Sequence, residues 1–261
     1  MKLSIERSIL LRALSQAQSV VERRNTIPIL ANVLIECDES TVHFRATDLD
    51  IEVIDKTPAQ VERPGATTVS AVTLHEIVRK LPDGALVTLA DDATKGRLYV
   101  EAGRSNFSLA TLPKEDFPIM ASSEYTANFS APAAMLRRLF DKSKFAISTE
   151  ETRYYLNGVY LHVADGEGGQ TLRCVATDGH RLSMNEIEAD ISEENTGQVI
   201  LPRKTIAELL RLISPTEDVL NVHVTNHHVC FESPLFTITS KLIDGQFPDY
   251  RSVLPKNCDK T

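Results

Sequence analysis

Two short stretches of the sequence hold residue types that could do chemistry. Asp178-Gly179-His180-Arg181 places an acid, a histidine and an arginine together, as in a phosphoesterase, and His227-His228-Val229-Cys230 offers nitrogen and sulfur ligands. Hydrolysis would still require a metal ion or a nucleophile held by further ligands, and no such cluster recurs at a fitting spacing. A metal-dependent phosphoesterase or nuclease around Asp178 and His180 is therefore only the alternative interpretation. No metal ligand or catalytic residue is expected.

Other sequence signals narrow the class of protein. Neither of the glycine-rich phosphate loops GxxxxGK[ST] and GxGxxG is present, so no cofactor is expected. The four cysteines include no CxxC pair, which argues against a disulfide framework and is typical of a reducing compartment. No run approaches the roughly 18 to 20 apolar residues of a membrane helix, and residues 1–7 do not resemble a secretory signal. We therefore expect a cytoplasmic protein without a membrane partner.

The composition is that of an ordinary globular protein. The 261 residues are 42% hydrophobic and 25% charged, enough apolar residues to bury sizeable cores, and the length favours two domains. The net charge of −8 argues against a protein that binds nucleic acid by bulk charge.

The sequence contains an internal repeat. Residues 41–46 alternate polar and apolar side chains, as in a half-buried strand, and run into Thr47-Asp48; residues 171–176 run into Thr177-Asp178 in the same way. Further matches follow in the same order, among them Phe117-Pro118 with Phe247-Pro248. Several features aligned in one order favour duplication of one structural unit.

Each copy is expected to begin with a helix. Residues 7–22 carry an apolar stripe at helical spacing. A matching helix in the second copy is expected to follow Ser130 as N-cap, with Pro132 in its first turn, and to bury Met135.

A second helix is expected in each copy, over residues 73–81 and 203–213. Thr73 and Thr205 each precede a glutamate by three positions, which is the capping-box pattern. Short alternating runs separated by turn signals surround the helices and predict antiparallel sheets. The fold class is therefore α+β, with two helices packed on one face of the sheet in each copy.

The charge is distributed unevenly over these elements. In the four helical segments basic residues outnumber acidic ones, so the rest of the chain carries a larger negative charge than the total of −8. Such a protein could present a positive, helix-lined face to a polyanion and repel it elsewhere. Solvated helix faces without a ligand are the other interpretation that the charge pattern allows.

Five strings, spread over the whole chain in one order, closely resemble the bacterial DNA sliding clamp, the beta subunit of DNA polymerase III holoenzyme. They are Asn25-Thr26-Ile27-Pro28-Ile29-Leu30, Gly65-Ala66-Thr67-Thr68, Arg153-Tyr154-Tyr155-Leu156-Asn157-Gly158, Ala176-Thr177-Asp178-Gly179-His180-Arg181-Leu182 and Phe247-Pro248-Asp249-Tyr250-Arg251.

The resemblance implies a processivity factor without catalytic residues. Such a clamp is a head-to-tail ring of two subunits around duplex DNA, built from tandem copies of one fold with antiparallel sheets outside and two helices per copy inside. On this basis we expect clamp domains over residues 1–126 and 127–253, and the start of a connection to an absent third domain over 254–261. The full-length protein is expected to be a homodimer, and this chain a truncated, mainly monomeric clamp.

The resemblance also assigns residues to the partners. Arg24, Tyr154 and Tyr155 match positions that touch DNA, and Arg203 and Lys204 open a helix where they could meet phosphates. In the loop before the paired tyrosines, Glu150 stands where the family often has a polar amide.

A second surface is implied to dock the peptide tails of DNA polymerases and the clamp loader. Apolar side chains would form its floor, Gly179 would let the backbone come close and Arg181 would meet a polar or acidic end. Ser252 stands where the family commonly has a second arginine. The residues that match the docking pocket are Leu156, Thr177, Gly179, His180, Arg181, Leu182, Pro248 and Val253.

A third surface, at the edge of the first copy, is implied to close the ring. It combines apolar side chains with two arginines, namely Ile77, Leu81, Arg97, Arg104, Phe107 and Leu109.

Overall fold

The alternating runs fold into antiparallel strands and the apolar stripes at helical spacing fold into helices. The computed structural model describes residues 1–21, 26–120, 124–166, 169–188, 197–213 and 219–255. The first copy of the repeat contains helices α1 (Arg7–Val20) and α2 (Ala71–Lys80). Its strands are β1 (Lys2–Glu6), β2 (Asn32–Cys37), β3 (Thr41–Thr47), β4 (Ile51–Pro58), β5 (Gln60–Arg63), β6 (Gly65–Ser70), β7 (Leu86–Asp92), β8 (Arg97–Ala102) and β9 (Ser105–Leu112).

The second copy has the same kinds of element. Its helices are α3 (Ala133–Ser143) and α4 (Arg203–Leu212). Its strands are β10 (Ala127–Pro132), β11 (Gly158–Gly166), β12 (Gly169–Thr177), β13 (Leu182–Glu188), β14 (Val199–Pro202), β15 (Val219–Val224), β16 (His228–Glu232) and β17 (Phe236–Lys241). Short 3-10 helices cover Pro28–Ala31, Lys114–Asp116, Lys144–Ala146, Glu151–Leu156 and Tyr250–Val253.

Among the described residues the strands form two sheets. One has thirteen strands in the order β10-β15-β16-β17-β4-β3-β2-β6-β9-β8-β7-β1-β5, and the other has the order β13-β12-β11-β14. Neighbouring strands are antiparallel, for example β3 with β4 and β12 with β13. The predicted α+β class with antiparallel sheets and two helices per copy is confirmed.

The helices bury the stripes that the sequence predicts, with one exception. In α1, Leu10, Leu14 and Val20 are fully buried. In α3, Phe140 is fully buried and its ring meets Phe231 of β16 edge to face, at 6.3 Å between ring centroids. Met135 was expected in the same stripe, but 44% of its surface is exposed, so that prediction is wrong. None of the helices in the described ranges is long and apolar enough to span a membrane.

The predicted capping boxes are also wrong. Helix α2 begins at Ala71, because Ser70 is its N-cap and accepts a hydrogen bond from the Thr73 backbone N–H at 3.3 Å. In α4 the Thr205 hydroxyl is buried and bonds the Ser240 hydroxyl of β17 at 2.6 Å. Each threonine therefore lies inside the first turn and not at the cap.

The second-copy helix also begins differently from the prediction. Pro132 occupies the N-cap position of α3 and makes no side-chain capping bond. Ser130, the predicted cap, belongs to β10, where its hydroxyl donates to the side-chain oxygen of Asn221 on β15 at 2.7 Å.

The duplication is visible in the turn that precedes β4. The Thr47 hydroxyl donates to the Ile51 carbonyl at 2.9 Å and accepts from the Leu49 N–H at 3.0 Å. One Asp48 carboxylate oxygen accepts from the N–H groups of Asp50 and Ile51, at 2.9 and 2.8 Å. The turn forces Leu49 to a φ of 80°. The second copy forms the same turn before β13, as described below.

The two copies join edge to edge. Strand β17 pairs with β4 over the register Phe236↔Asp55 to Ser240↔Ile51. Ion pairs flank the pairing: Lys56 meets Glu232 and Lys241 meets Asp50, each at 2.9 Å. We call this pairing, with its flanking contacts, the copy junction.

Candidate functional site

The turn before β13 carries the residues that first suggested chemistry. The Thr177 hydroxyl donates to the Arg181 carbonyl at 2.8 Å and accepts from the Gly179 N–H at 3.1 Å. One Asp178 carboxylate oxygen accepts from the N–H groups of His180 and Arg181, both at 3.0 Å. Gly179 has a φ of 89°, which a glycine adopts without the cost of a Cβ. These contacts repeat those of the first-copy turn, and we call residues 177–182 the docking turn.

The electrostatics of Asp178 oppose a catalytic role. Backbone hydrogen bonds from His180 and Arg181 lower the pKa of Asp178 from 3.8 to about 2. Its second oxygen accepts from the Arg181 Nε at 3.0 Å, so Asp178 holds the turn and Arg181 at once. A carboxylate with such a pKa is a poor general base near neutral pH.

The second stretch that suggested chemistry, residues 227–230, forms a turn and the start of strand β16. His228 opens β16, and burial lowers its pKa. Cys230 is a buried free thiol whose pKa burial raises. In the parts of the chain that the structure describes, no group of three or more histidine, cysteine, aspartate or glutamate residues could hold a metal ion.

Glu150 and Arg153 connect the docking turn to the loop that carries the tyrosines. Arg153 donates from Nε to one Glu150 oxygen at 2.7 Å and from Nη2 to the other at 2.9 Å. The hydrogen bond from Arg153 is the main reason that the pKa of Glu150 is lowered. A Cβ added at Gly179 would lie 2.7 Å from the Arg153 Nη1, so the guanidinium lies directly against the turn.

The predicted DNA-binding residues of the second copy lie close together. Tyr154 is 54% exposed, and its ring packs edge to face on Tyr155, with 5.8 Å between centroids. The loop then leads to Asn157, whose carbonyl accepts from the Arg203 N–H at 3.0 Å. The exposed first residue of α4 therefore adjoins the tyrosine loop.

Lys204, the next residue, has a different environment. Its ammonium group pairs with Asp48 of the first-copy turn, and it also donates to the Val20 carbonyl at 3.3 Å. Lys204 thus connects the two copies, and its predicted phosphate contact stays a prediction. Arg24, the remaining predicted DNA contact, lies outside the described residues.

Several basic residues of the helices act inside the protein. Arg7 donates to the Val78 and Arg79 carbonyls at the C-terminus of α2, at 3.1 and 2.8 Å. Arg137 does the same for α4, donating to the Leu210 and Ile213 carbonyls at 2.8 and 2.7 Å. Arginines in these positions satisfy the unpaired carbonyls of helix ends and oppose the helix dipole. The count of basic residues in the sequence therefore overstates the charge available to a polyanion.

The docking residues form a partly open surface. Leu156 is buried, Leu182 is half-buried, and Pro248 and Val253 are exposed, Val253 by 69%. Arg181 lies over the exposed ring of Phe145, with its guanidinium carbon 5.5 Å from the ring centroid. Phe145 is a member of this surface that the sequence analysis missed, since nothing in its local pattern distinguishes it from a core residue.

Tyr250 anchors the segment that carries Pro248 and Val253. Its hydroxyl donates to the His162 Nε2 at 3.0 Å, because the His162 Nδ1 donates to the Val163 carbonyl. The same hydroxyl accepts from Arg173 at 3.3 Å. The sequence analysis quoted Tyr250 in a family string but gave it no role.

Neighbouring contacts order the same segment. The Asp249 carboxylate caps the 3-10 helix by accepting from the Arg251 N–H at 3.1 Å, and the Ser252 hydroxyl donates to the Asp249 carbonyl at 2.7 Å. A cleft of about 1020 Å³ lies beside this segment and is lined by Phe247, Pro248 and others. It shares Pro248 with the docking surface but none of the residues of the docking turn.

The predicted ring-closing residues lie on α2 and the adjoining strands. Arg97, Arg104 and Phe107 are exposed, the last by 37%. Leu109 and Ile77 are half-buried, and Leu81 is 6% exposed. Apart from the pairing of Thr111 and Leu112 with β6, strand β9 pairs only with β8 among the described strands.

Tandem antiparallel copies that join edge to edge are the architecture expected of the sliding-clamp class. Residues 1–121 match the family model of the DNA polymerase III beta subunit, N-terminal domain, and residues 131–249 match its central domain. This chain belongs to that family, as the sequence analysis predicted. The function class, a processivity clamp of DNA polymerase III and not a hydrolase, is confirmed with it.

Individual relatives agree with the family. The chain is 52% identical over 258 residues to the beta sliding clamp of Caulobacter vibrioides, covering 98% of this chain and 69% of that protein. It is 39% identical over 261 residues to the beta sliding clamp of Escherichia coli, covering 100% of this chain and 69% of that one.

Solved structures have the same fold. The DNA polymerase III subunit beta of Pseudomonas aeruginosa matches with a TM-score of 0.91 at 40% identity, over 99% of this chain and 69% of that one. A sliding clamp of Bartonella birtlesii bound to griselimycin matches with a TM-score of 0.93 at 42% identity, over 98% and 68%.

The low pKa of Asp178 gives a first prediction. Because ionised Asp178 accepts the backbone hydrogen bonds, its stabilisation of the turn is complete above the ordinary pKa of 3.8. It is lost as the pH falls through about 2. We expect the Asp178 carboxyl carbon to titrate near that pH in an NMR experiment, and Asp178→Asn to remove this acid dependence from the turn amides. Titration near 4 would contradict the assignment.

The close approach of Arg153 to Gly179 gives a second prediction, on stability. Gly179→Ala and Gly84→Ala each place a Cβ at positive φ, which costs roughly 1 kcal/mol of unfolding free energy. Only at Gly179 does the Cβ also meet a guanidinium, because nothing lies within 4 Å of the Cβ position at Gly84. The guanidinium is the end of a flexible side chain and can move aside, so we expect similar losses of unfolding free energy in urea for both variants, and the Arg153 Nε–H NMR signal to move in Gly179→Ala alone. An unmoved signal in Gly179→Ala would disprove the contact.

Proposed function

We propose that this chain forms part of a ring that encircles duplex DNA and docks polymerase and clamp-loader tails on the turn at residues 177–182. The observation that supports a ring is the copy junction, in which β17 of the second copy pairs with β4 of the first. By the internal repeat, β9 is the counterpart of β17 and β13 is the counterpart of β4. Among the described strands β13 pairs only with β12, so both counterpart edges are available for the same kind of junction.

Repetition of one junction in a head-to-tail sense closes a ring if the rotation between copies is right. The relatives are longer than the stretch they share with this chain, and the unmatched 31% leaves room for one further copy of similar size. We propose that a full-length clamp is a homodimer closed at Ile77, Leu81, Arg97, Arg104, Phe107 and Leu109, and that this chain alone is mainly monomeric. The same proposal includes domain boundaries at 126/127 and 253/254. It also includes a cytoplasmic localisation.

The DNA-facing part of the proposal is supported by the group formed by Tyr154, Tyr155 and Arg203. An exposed arginine whose backbone bonds the end of the tyrosine loop suits contact with a phosphate backbone without reading bases. Because Arg7, Arg137 and Lys204 are held by internal partners, the free charge on this face is moderate. Moderate charge favours weak, exchangeable contacts, which a ring held by topology needs in order to slide.

Duplex binding tests this part. Arg203→Ala is expected to weaken binding of a labelled duplex about two- to fivefold at low salt and to reduce the slope of log affinity against log salt by about one. Lys114→Ala removes one exposed charge from a short 3-10 helix of the first copy, outside the four α-helices, and serves as the matched control. Fluorescence anisotropy measures both. Equal effects of the two changes would show bulk attraction and reject the proposed face, as would nanomolar binding to the open chain at physiological salt.

Peptide docking tests the other part. A synthetic polymerase-tail peptide is expected to shift the amide NMR signals of residues 179–182 at high peptide concentration. Leu182→Asp should abolish the shifts, because a charge replaces an apolar contact. Leu235→Asp makes the same change at a leucine 48% exposed outside the turn and should leave them intact. Shifts confined to the first copy, near Ile77 or Phe107, would show that docking had been assigned to the wrong copy.

A further inference from the structure

Both arginines at the docking turn are paired with an acid of the same chain. Arg181 donates to Asp178 at 3.0 Å, and Arg153 makes two hydrogen bonds to Glu150. The local charges are therefore balanced before any ligand arrives. Of the polar or acidic end that Arg181 was expected to meet on the docked segment, this balance favours the polar one.

The geometry of Arg153 leaves Nη1, with both of its N–H groups, for a ligand. Its Nε and Nη2 are both used by Glu150. Its Nη1 makes no hydrogen bond to any residue in the described ranges, and it lies 2.7 Å from the position that a Cβ of Gly179 would occupy. The Arg153 side chain is 37% exposed. Because Gly179 has no side chain, the Arg153 Nη1 can lie directly against the docking turn.

Glu150 determines which acceptor suits that nitrogen. A guanidinium without a paired acid attracts a carboxylate most strongly, through charge-assisted hydrogen bonds. With Glu150 already on its other edge, an incoming carboxylate meets a second negative charge on the same guanidinium. A carbonyl oxygen accepts the hydrogen bond without this repulsion.

We propose that Glu150 is a specificity-determining residue of the docking surface, which through Arg153 selects a neutral carbonyl acceptor on the docked segment over a carboxylate. The inference rests on the proposed docking function and concerns the regulation of that same site.

The neighbouring residue provides a matched control. Glu151 is exposed, belongs to the same 3-10 helix as Arg153 and makes no ion pair or side-chain hydrogen bond within the described chain. Glu150→Gln and Glu151→Gln therefore remove the same charge from adjacent positions. Only the first loosens the Arg153 guanidinium from its carboxylate. A difference between the variants reports the Glu150–Arg153 pair and not the total charge of the loop.

The experiment uses one polymerase-tail peptide in three forms. The reference has an amidated C-terminus and no acidic residue, the second form has a free C-terminal carboxylate, and the third is the amidated reference with one Gln→Glu change. The second and third forms distinguish a terminal from a side-chain carboxylate. Dissociation constants are measured at low salt for the wild-type chain and for both variants, with thermal melts to confirm folding.

We expect at least one acidic form to bind the wild-type chain about two- to fivefold more weakly than the reference, the size typical of an exposed charge interaction. In Glu150→Gln this ratio should fall to one or below, while Glu151→Gln should keep it. Equal ratios in the two variants, or the absence of a penalty in the wild type, overturn the inference. If the reference peptide does not bind the wild-type chain at all, the docking function itself fails, which is a distinct outcome.

Discussion

The antiparallel pairing of β17 with β4 is the interaction on which the arrangement of the two copies depends. It joins strands of both copies into one continuous sheet, and polar contacts between helix residues and the other copy add to the junction. There Lys204 pairs with Asp48, and the Ser19 hydroxyl donates to Glu208 at 2.6 Å. The Asp48 side chain is 7% exposed and that of Lys204 39%, so solvent screens this ion pair less than the Lys241–Asp50 pair, which is 51% and 76% exposed. The first-copy turn thereby becomes part of the junction.

The second-copy turn has the same backbone but a different partner. Asp178 pairs with Arg181 of its own turn, whereas Asp48 pairs with a lysine of the other copy. The same local motif therefore has two environments: in the first copy it bonds the start of α4 at the copy junction, and in the second copy its His180 and Arg181 are exposed at the surface proposed to dock peptides. The threonine hydroxyl and the aspartate carboxylate specify the turn in both cases through bonds to nearby N–H and C=O groups.

Charge in this protein is used mostly for internal positioning. Arg7 and Arg137 cap helix C-termini, Arg173 holds Tyr250, and Arg153 connects the tyrosine loop to the docking turn. A chain with a net charge of −8 can therefore offer a moderate cationic face to DNA without becoming a general polyanion binder. The same internal pairing keeps the docking turn electrically balanced.

The repeat, the antiparallel α+β class, the buried stripe of α1 and the family could all be predicted from the sequence. These depend on periodicity and on local turn chemistry, which are properties of neighbouring residues. Contacts between elements, by contrast, determine where α2 and α3 begin, why Met135 is exposed, and which basic residues are free, whereas α4 begins at Arg203 as predicted. Thr205 bonds Ser240, Lys204 bonds Asp48 and Tyr250 bonds His162 across long sequence separations. No local pattern encodes such partners, because each pair forms only after sheets and helices have packed.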